Sequence, residues 1–152
     1  MKIDRTKPAP LVVTRARTIL VACFFGRRGR PKLGDDSSLD ELAQLLDTAG
    51  GEEVARVTQT LARPDSGTLI GTGKAAELAA MVKELKADVV VFDNDLSPAQ
   101  EGNLEKRIGA PVMGRSEIIL GIFARRARTK QAKLQVELAQ SEYMLPRLKR
   151  LW

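Results

Sequence analysis

The chain has 152 residues, 43% of them hydrophobic but only 4% aromatic, with one cysteine, no histidine and a net charge of +6. A chain of this length buries a core without disulfide or metal staples. The lack of histidine excludes Ser–His and Cys–His catalytic pairs and the usual zinc sites, and the lone Cys23, unable to form an intrachain disulfide, points to a reducing, cytoplasmic setting.

Residues 1–16 form a lead-in with no apolar signal-peptide core, and no run in the chain is long and apolar enough to span a membrane. Residues 17–25 read as a strand, with Cys23 as a small buried hydrophobe. A Gly-, Arg- and Lys-rich loop follows, holding Arg27, Arg28, Arg30, Pro31 and Lys32. Ser37 and Ser38 can cap a helix over residues 39–48, whose stripe is Leu39, Leu42, Ala43 and Leu46; Gly50 and Gly51 stop it. Residues 54–61 read as a second strand and residues 63–67 as a turn. The next helix is expected over residues 75–86. Residues 88–92 form a continuous apolar strand of the kind buried on both faces of a parallel sheet. Ser97 as N-cap and Pro98 at N1 start a helix to about residue 108, and residues 111–113 form a short last strand. Strand and helix alternate four times, which predicts an α/β fold: a small parallel four-stranded sheet flanked by helices.

From Arg115 onward only helix is expected, over residues 116–128 and 129–151. Leu134, Leu138, Ser141, Leu145, Leu148 and Trp152 are spaced by alternating steps of four and three, a heptad seam that asks for a partner helix. Pro146 is expected to kink or restart that helix. The organisation is thus a lead-in (1–16), an α/β subdomain (17–114) and a helical segment (115–152).

Charge is segregated along the chain: +8 over residues 1–34, −8 over residues 35–114 and +6 over residues 115–152. Separated basic surface points to a polyanion, although a basic helix can simply be a solvated face. Arg125, Arg126, Arg128, Lys130 and Lys133 fall within nine residues with no acid among them, and are candidates for RNA phosphates. Gly71-Thr72-Gly73-Lys74 is not a Walker A loop, since the first glycine would fall at Thr68 and the hydroxyl position is Ala75. Gly71, Gly73 and Lys74 could form a small anion or nucleotide site at a helix N-terminus, or a turn that lets strand and helix pack closely. Asp93 and Asp95, at a strand's C-terminal end, could join such a site or hold Mg²⁺, but capping and turn formation is the favoured reading there. No catalytic or metal-ligating set emerges.

These motifs resemble one family. Leu69-Ile70-Gly71-Thr72-Gly73-Lys74 is similar to the first signature of HflX N-terminal domains. Phe92-Asp93-Asn94-Asp95-Leu96-Ser97-Pro98-Ala99-Gln100, followed by Asn103-Leu104-Glu105, is similar to the second. Ile122-Phe123-Ala124, Arg126-Ala127, Thr129, Lys133-Leu134-Gln135-Val136-Glu137-Leu138-Ala139-Gln140, Tyr143 and Leu145-Pro146-Arg147-Leu148 are similar to the third. The sequence departs from the family pattern at Gly102 (usually Arg), Gly114 (usually Asp), Gln131 (usually Glu) and Ser141 (usually Leu). The resemblance implies a GTPase that binds the large ribosomal subunit and splits ribosomes under stress. It also implies an α/β subdomain, then a long-helix hairpin, then the G domain. Residues 129–151 would be the first hairpin arm, with the G domain outside these residues. GTP and Mg²⁺ are then expected on that G domain and no cofactor on this chain, which alone would not hydrolyse GTP by P-loop chemistry. The expected partners are large-subunit RNA, the chain's own G domain, and a second copy through Leu134, Leu138, Leu145 and Leu148.

Overall fold

The computed structural model describes residues 15–26 and 37–148. The basic loop at Arg27, Arg28, Arg30 and Lys32, most of the lead-in, and Trp152 lie outside the described residues. The elements are β1 (Arg17–Phe25), α1 (Ser37–Thr48), β2 (Glu52–Leu61), α2 (Thr72–Leu85), β3 (Val89–Phe92), α3 (Pro98–Ile108), β4 (Val112–Gly114), α4 (Arg115–Arg126) and α5 (Lys130–Leu148). The four strands form one sheet in the order β2-β1-β3-β4, with every pairing parallel. The expected α/β architecture is therefore the observed one.

Side-chain alternation divides the core in two. Ile19, Val21, Val90 and Phe92 point to the face covered by α2 and α3, where they meet Leu78, Val82, Leu104 and Ile108. Leu20, Ala22, Val89 and Val91 point to the other face, covered by Leu39, Leu42 and Leu46 of α1 and Ile118 and Ile122 of α4. All four residues of β3 are fully buried, as its uninterrupted apolar sequence requires. Helix α4 thus completes a layer of the α/β unit. Edge strand β2 carries Glu52, Glu53 and Arg56, charges that discourage pairing with another chain.

Local chemistry sets most boundaries. Ser97 and Gln100 form a reciprocal capping box around Pro98 at the start of α3, and Gly109 ends that helix with a positive φ of 78°. Helix α2 starts three residues earlier than the periodicity predicts. Its N-cap is Gly71, which has no side chain to cap with; the side chain of Gln59 on β2 accepts from the Gly71 N–H at 3.1 Å instead. Ser38 does not cap α1 through its hydroxyl, which donates to the Asp93 carboxylate. Arg17 donates through Nε and Nη2 to the Leu85 carbonyl at the end of α2, a cation where the helix dipole favours one.

Helix α5 runs through Pro146 to Leu148. It packs on α4 and α3, which cover opposite faces of the sheet, and so lies across the β4 edge. Its contact joins the buried Met144 to a polar cluster. Glu101 of α3 and Glu117 of α4 are 0% exposed, and Arg147 of α5 is 8% exposed. Arg147 Nε donates to Glu101 Oε2 at 3.0 Å and stands 3.9 Å from Glu117 Oε1. Its Nη2 donates to the Leu96 carbonyl at 2.9 Å and its Nη1 to the Tyr143 carbonyl at 3.0 Å. The guanidinium lies 3.6 Å from the Tyr143 ring centroid, and the Tyr143 hydroxyl donates to Glu117 Oε1 at 3.1 Å. Burial, then the two carboxylates, raise the Tyr143 pKa, so the phenol stays a donor.

A buried charge deprived of its partner is costly, so Arg147→Met is expected to destabilise the fold by about 3–5 kcal/mol. Combining it with Glu101→Gln removes one stranded charge and recovers part of that loss. Urea unfolding of both variants checks this; a loss under about 1 kcal/mol, as for a surface pair, would show that the cluster does not hold α5.

Candidate RNA-binding surface

The basic segment sits at the corner between α4 and α5. From Ile118 to Val136 the chain has no acidic residue. Helix α4 ends at Arg126, Ala127 leaves helical geometry with φ −66° and ψ 119°, and Arg128 lies in the connection. Thr129 starts the next helix: its Oγ1 accepts from Ala132 N at 3.0 Å and its carbonyl from Lys133 N at 2.9 Å.

The five predicted cations do not behave alike. Arg125 Nη1 donates to the Ala49 carbonyl at 2.7 Å, just past the end of α1. That bond fixes α4 against α1 and uses the cation as a helix C-terminal partner. Arg126, Arg128, Lys130 and Lys133 are exposed, with no ion pair or hydrogen bond from their side chains to another described residue. Four like charges thus share one corner with no counter-charge from the described residues. Beside them Phe123 is 54% exposed, a residue the charge pattern did not single out.

The residues at the strand ends are held in separate local contacts. Lys74 Nζ pairs with Glu77 at 2.9 Å. Asp93 accepts from Ser38 and faces Arg115 Nε at 3.5 Å, so its carboxylate ties the first turns of α1 and α4 together. Asp95 accepts from Ser116 Oγ at 3.2 Å. Gly71 and Lys74 belong to α2 on one face of the sheet, while Asp93 reaches α1 and α4 on the other. No hydrogen bond or ion pair among the described residues joins Lys74 to Asp93 or Asp95.

In this strand order the crevice where α/β sheets take ligands lies between the C-terminal ends of β1 and β3. Asn94 fills it. Its Oδ1 accepts from Cys23 N at 2.9 Å and its Nδ2 donates to Cys23 O at 3.0 Å, continuing the ladder past the end of β3. Cys23 is 5% exposed, and burial pushes its thiol up to about 12 despite Lys74 nearby, so it is an inert core residue. A Cβ at Gly73 would meet nothing within 4 Å, so close packing does not require glycine there; at Gly71 it would lie 3.5 Å from the Gln59 side chain. Gly114 is the N-cap of α4 and supplies no side-chain bond. Among the described residues no group of three or more His, Cys, Asp or Glu could hold a metal ion. Among them, too, no helix is long and apolar enough to cross a membrane.

The heptad seam is exposed: Leu134 by 55%, Leu138 by 61% and Leu145 by 63%. The side chain of Leu148 lies outside the described residues. The face that α5 buries is a different one, centred on Gln140, Met144 and Arg147.

Comparison with known proteins agrees with this organisation. The family "GTP-binding GTPase N-terminal" matches residues 36–124, and "GTP-binding GTPase Middle Region" matches residues 126–152. The two meet at the corner between α4 and α5. The chain is 43% identical over 136 residues to GTPase HflX of Flavobacterium psychrophilum, covering 90% of this chain and 32% of that protein. It is 46% identical over 118 residues to GTPase HflX of Escherichia coli, covering 78% and 28%. The chain therefore spans about a third of the length of the curated relatives it matches. Its fold resembles that of a GTP-binding protein from Sulfolobus solfataricus, solved in complex with GDP, with a TM-score of 0.65 at 20% identity, covering 89% of this chain and 39% of that one. By these matches the chain belongs to the HflX family of GTP-binding GTPases and corresponds to its N-terminal region.

Proposed function

We propose that this chain is the ribosome-binding N-terminal part of an HflX-type GTP-binding protein, and that it grips RNA of the large ribosomal subunit through Arg126, Arg128, Lys130 and Lys133. The observation that carries the reading is the acid-free corner between α4 and α5, where four exposed cations lack protein partners. Lys and Arg in such an arrangement gain by displacing the counterions of a phosphate backbone. Arg125 serves the fold rather than the RNA, since Ala49 already holds it. In the longer relatives this contact would place a GTP- and Mg²⁺-dependent domain on the subunit. The domain division that fits is an α/β unit closed by α4, with α5 docked across its β4 edge.

The test is co-sedimentation with purified large subunits over a salt series. The chain is expected to pellet at low salt and to release steeply as salt rises. Each single alanine change at the four cations should weaken binding and reduce the log–log salt slope by roughly one. If the wild-type chain stays in the supernatant at low salt, or if reversing all four charges leaves pelleting unchanged, the proposal is wrong.

The exposed leucines support a second reading, in which two copies pair through α5. Antiparallel alignment sets Leu134 against Leu145 and Leu138 against Ser141, and brings Gln135 near Glu142 and Glu137 near Met144, with no like charges opposed across the seam. Light scattering is expected to show a dimer at high concentration and a monomer for Leu138→Glu. A wild-type monomer at every concentration would exclude it.

A further inference from the structure

Phe123 is a large apolar side chain left exposed on α4, as Leu134, Leu138 and Leu145 are on α5. Aromatics make up only 4% of the sequence, and Phe92 is fully buried, yet Phe123 leaves more than half of its surface in water. It stands on a rigid support. Ile118 and Ile122 anchor α4 in the core, Gly121 is buried beside them, and Arg125 bonds to Ala49. Arg126 lies three residues further along the same helix, so the two side chains are surface neighbours about 5–6 Å apart at Cβ. Arg128, Lys130 and Lys133 follow around the corner.

We infer that Phe123 is a stacking platform for an unpaired RNA base, with the cations of the α4–α5 corner holding the phosphates on either side of it. This rests on the RNA-binding role proposed above and narrows it to single-stranded or looped RNA. An A-form duplex could satisfy the cations, but its bases are stacked on each other and its deep groove admits no ring. An unpaired base offers a π face, and an aromatic on a fixed helix loses little freedom in meeting it. A protein partner that covered Phe123 would have to bring acids to match four cations, whereas RNA brings charge and ring together.

The test is fluorescence anisotropy with a short unstructured RNA oligomer and with the duplex it forms with its complement. Phe123→Ala is expected to weaken the single strand about tenfold and to leave the duplex within about twofold. Its salt slope should match wild type, because no phosphate contact is lost. Phe123→Trp should restore or strengthen single-strand binding. Circular dichroism establishes that the variants are folded, as an exposed position predicts. An unchanged single-strand affinity for Phe123→Ala, an equal loss on strand and duplex, or Phe123→Leu binding as well as wild type overturns the stacking role while leaving the phosphate grip standing. If the wild-type chain binds neither RNA nor large subunits at low salt, the RNA-binding reading fails, and stacking fails with it. Phe123 is then an apolar contact for protein.

Discussion

Two carboxylates without solvent exposure set the terms for the C-terminal half of this structure. Glu101 and Glu117 sit at positions on α3 and α4 that would otherwise hold apolar residues, and neither side chain reaches water. Desolvated carboxylates are costly unless a cation and hydrogen-bond donors meet them. Arg147 and Tyr143 bring both, and both are carried by α5. Docking of the long helix is therefore not a matter of greasy contact that could slide by a turn. The guanidinium has one place in which it meets Glu101, the Leu96 carbonyl, the Tyr143 carbonyl and the Tyr143 ring together. A shift of one residue would separate these partners.

The strand ends follow the same economy of polar contacts. The crevice between β1 and β3 is a place where α/β folds hold ligands, but here the Asn94 amide meets both backbone groups of Cys23. Asp93 and Asp95, which a sequence reader weighs as metal or nucleotide ligands, spend their oxygens on Ser38, Arg115 and Ser116. Those bonds tie the loop after β3 to the first turns of α1 and α4. Chemistry at the strand ends thus serves to fix α4, and α4 carries the exposed corner. Phe123 and Arg126 stand on that helix, with Arg128, Lys130 and Lys133 just beyond its end.

Much of this was legible in the sequence because the deciding interactions are local. The apolar run at residues 89–92, the Ser97-Pro98 start of α3 and the strand–helix alternation each depend on residues close in the chain. The places where sequence and structure part are those where a distant residue decides. Helix α2 begins early because Gln59 of another strand satisfies Gly71. Ser38 serves Asp93 rather than its own helix. The leucine spacing on α5 correctly marks an apolar stripe, but the face that docks is the one with Gln140, Met144 and Arg147. Apolar periodicity is blind to a polar interface. A usable signal was present all the same: Glu101 falls in step with Leu104 and Ile108, so a charge occupies the buried stripe of its own helix.

The docked face of α5 also explains why the basic corner remains available. Lys130 and Lys133 stand in the first turn of a helix whose later turns are pinned by Arg147, and Arg126 ends a helix pinned by Arg125 and the core. Both helices are held by contacts away from the corner, and no acid among the described residues offsets its like charges. Flexible cations would spread apart in the free protein and lose entropy on binding. Cations on helices that are already held lose side-chain freedom but little backbone freedom on binding, and the buried Arg147 cluster is what holds α5.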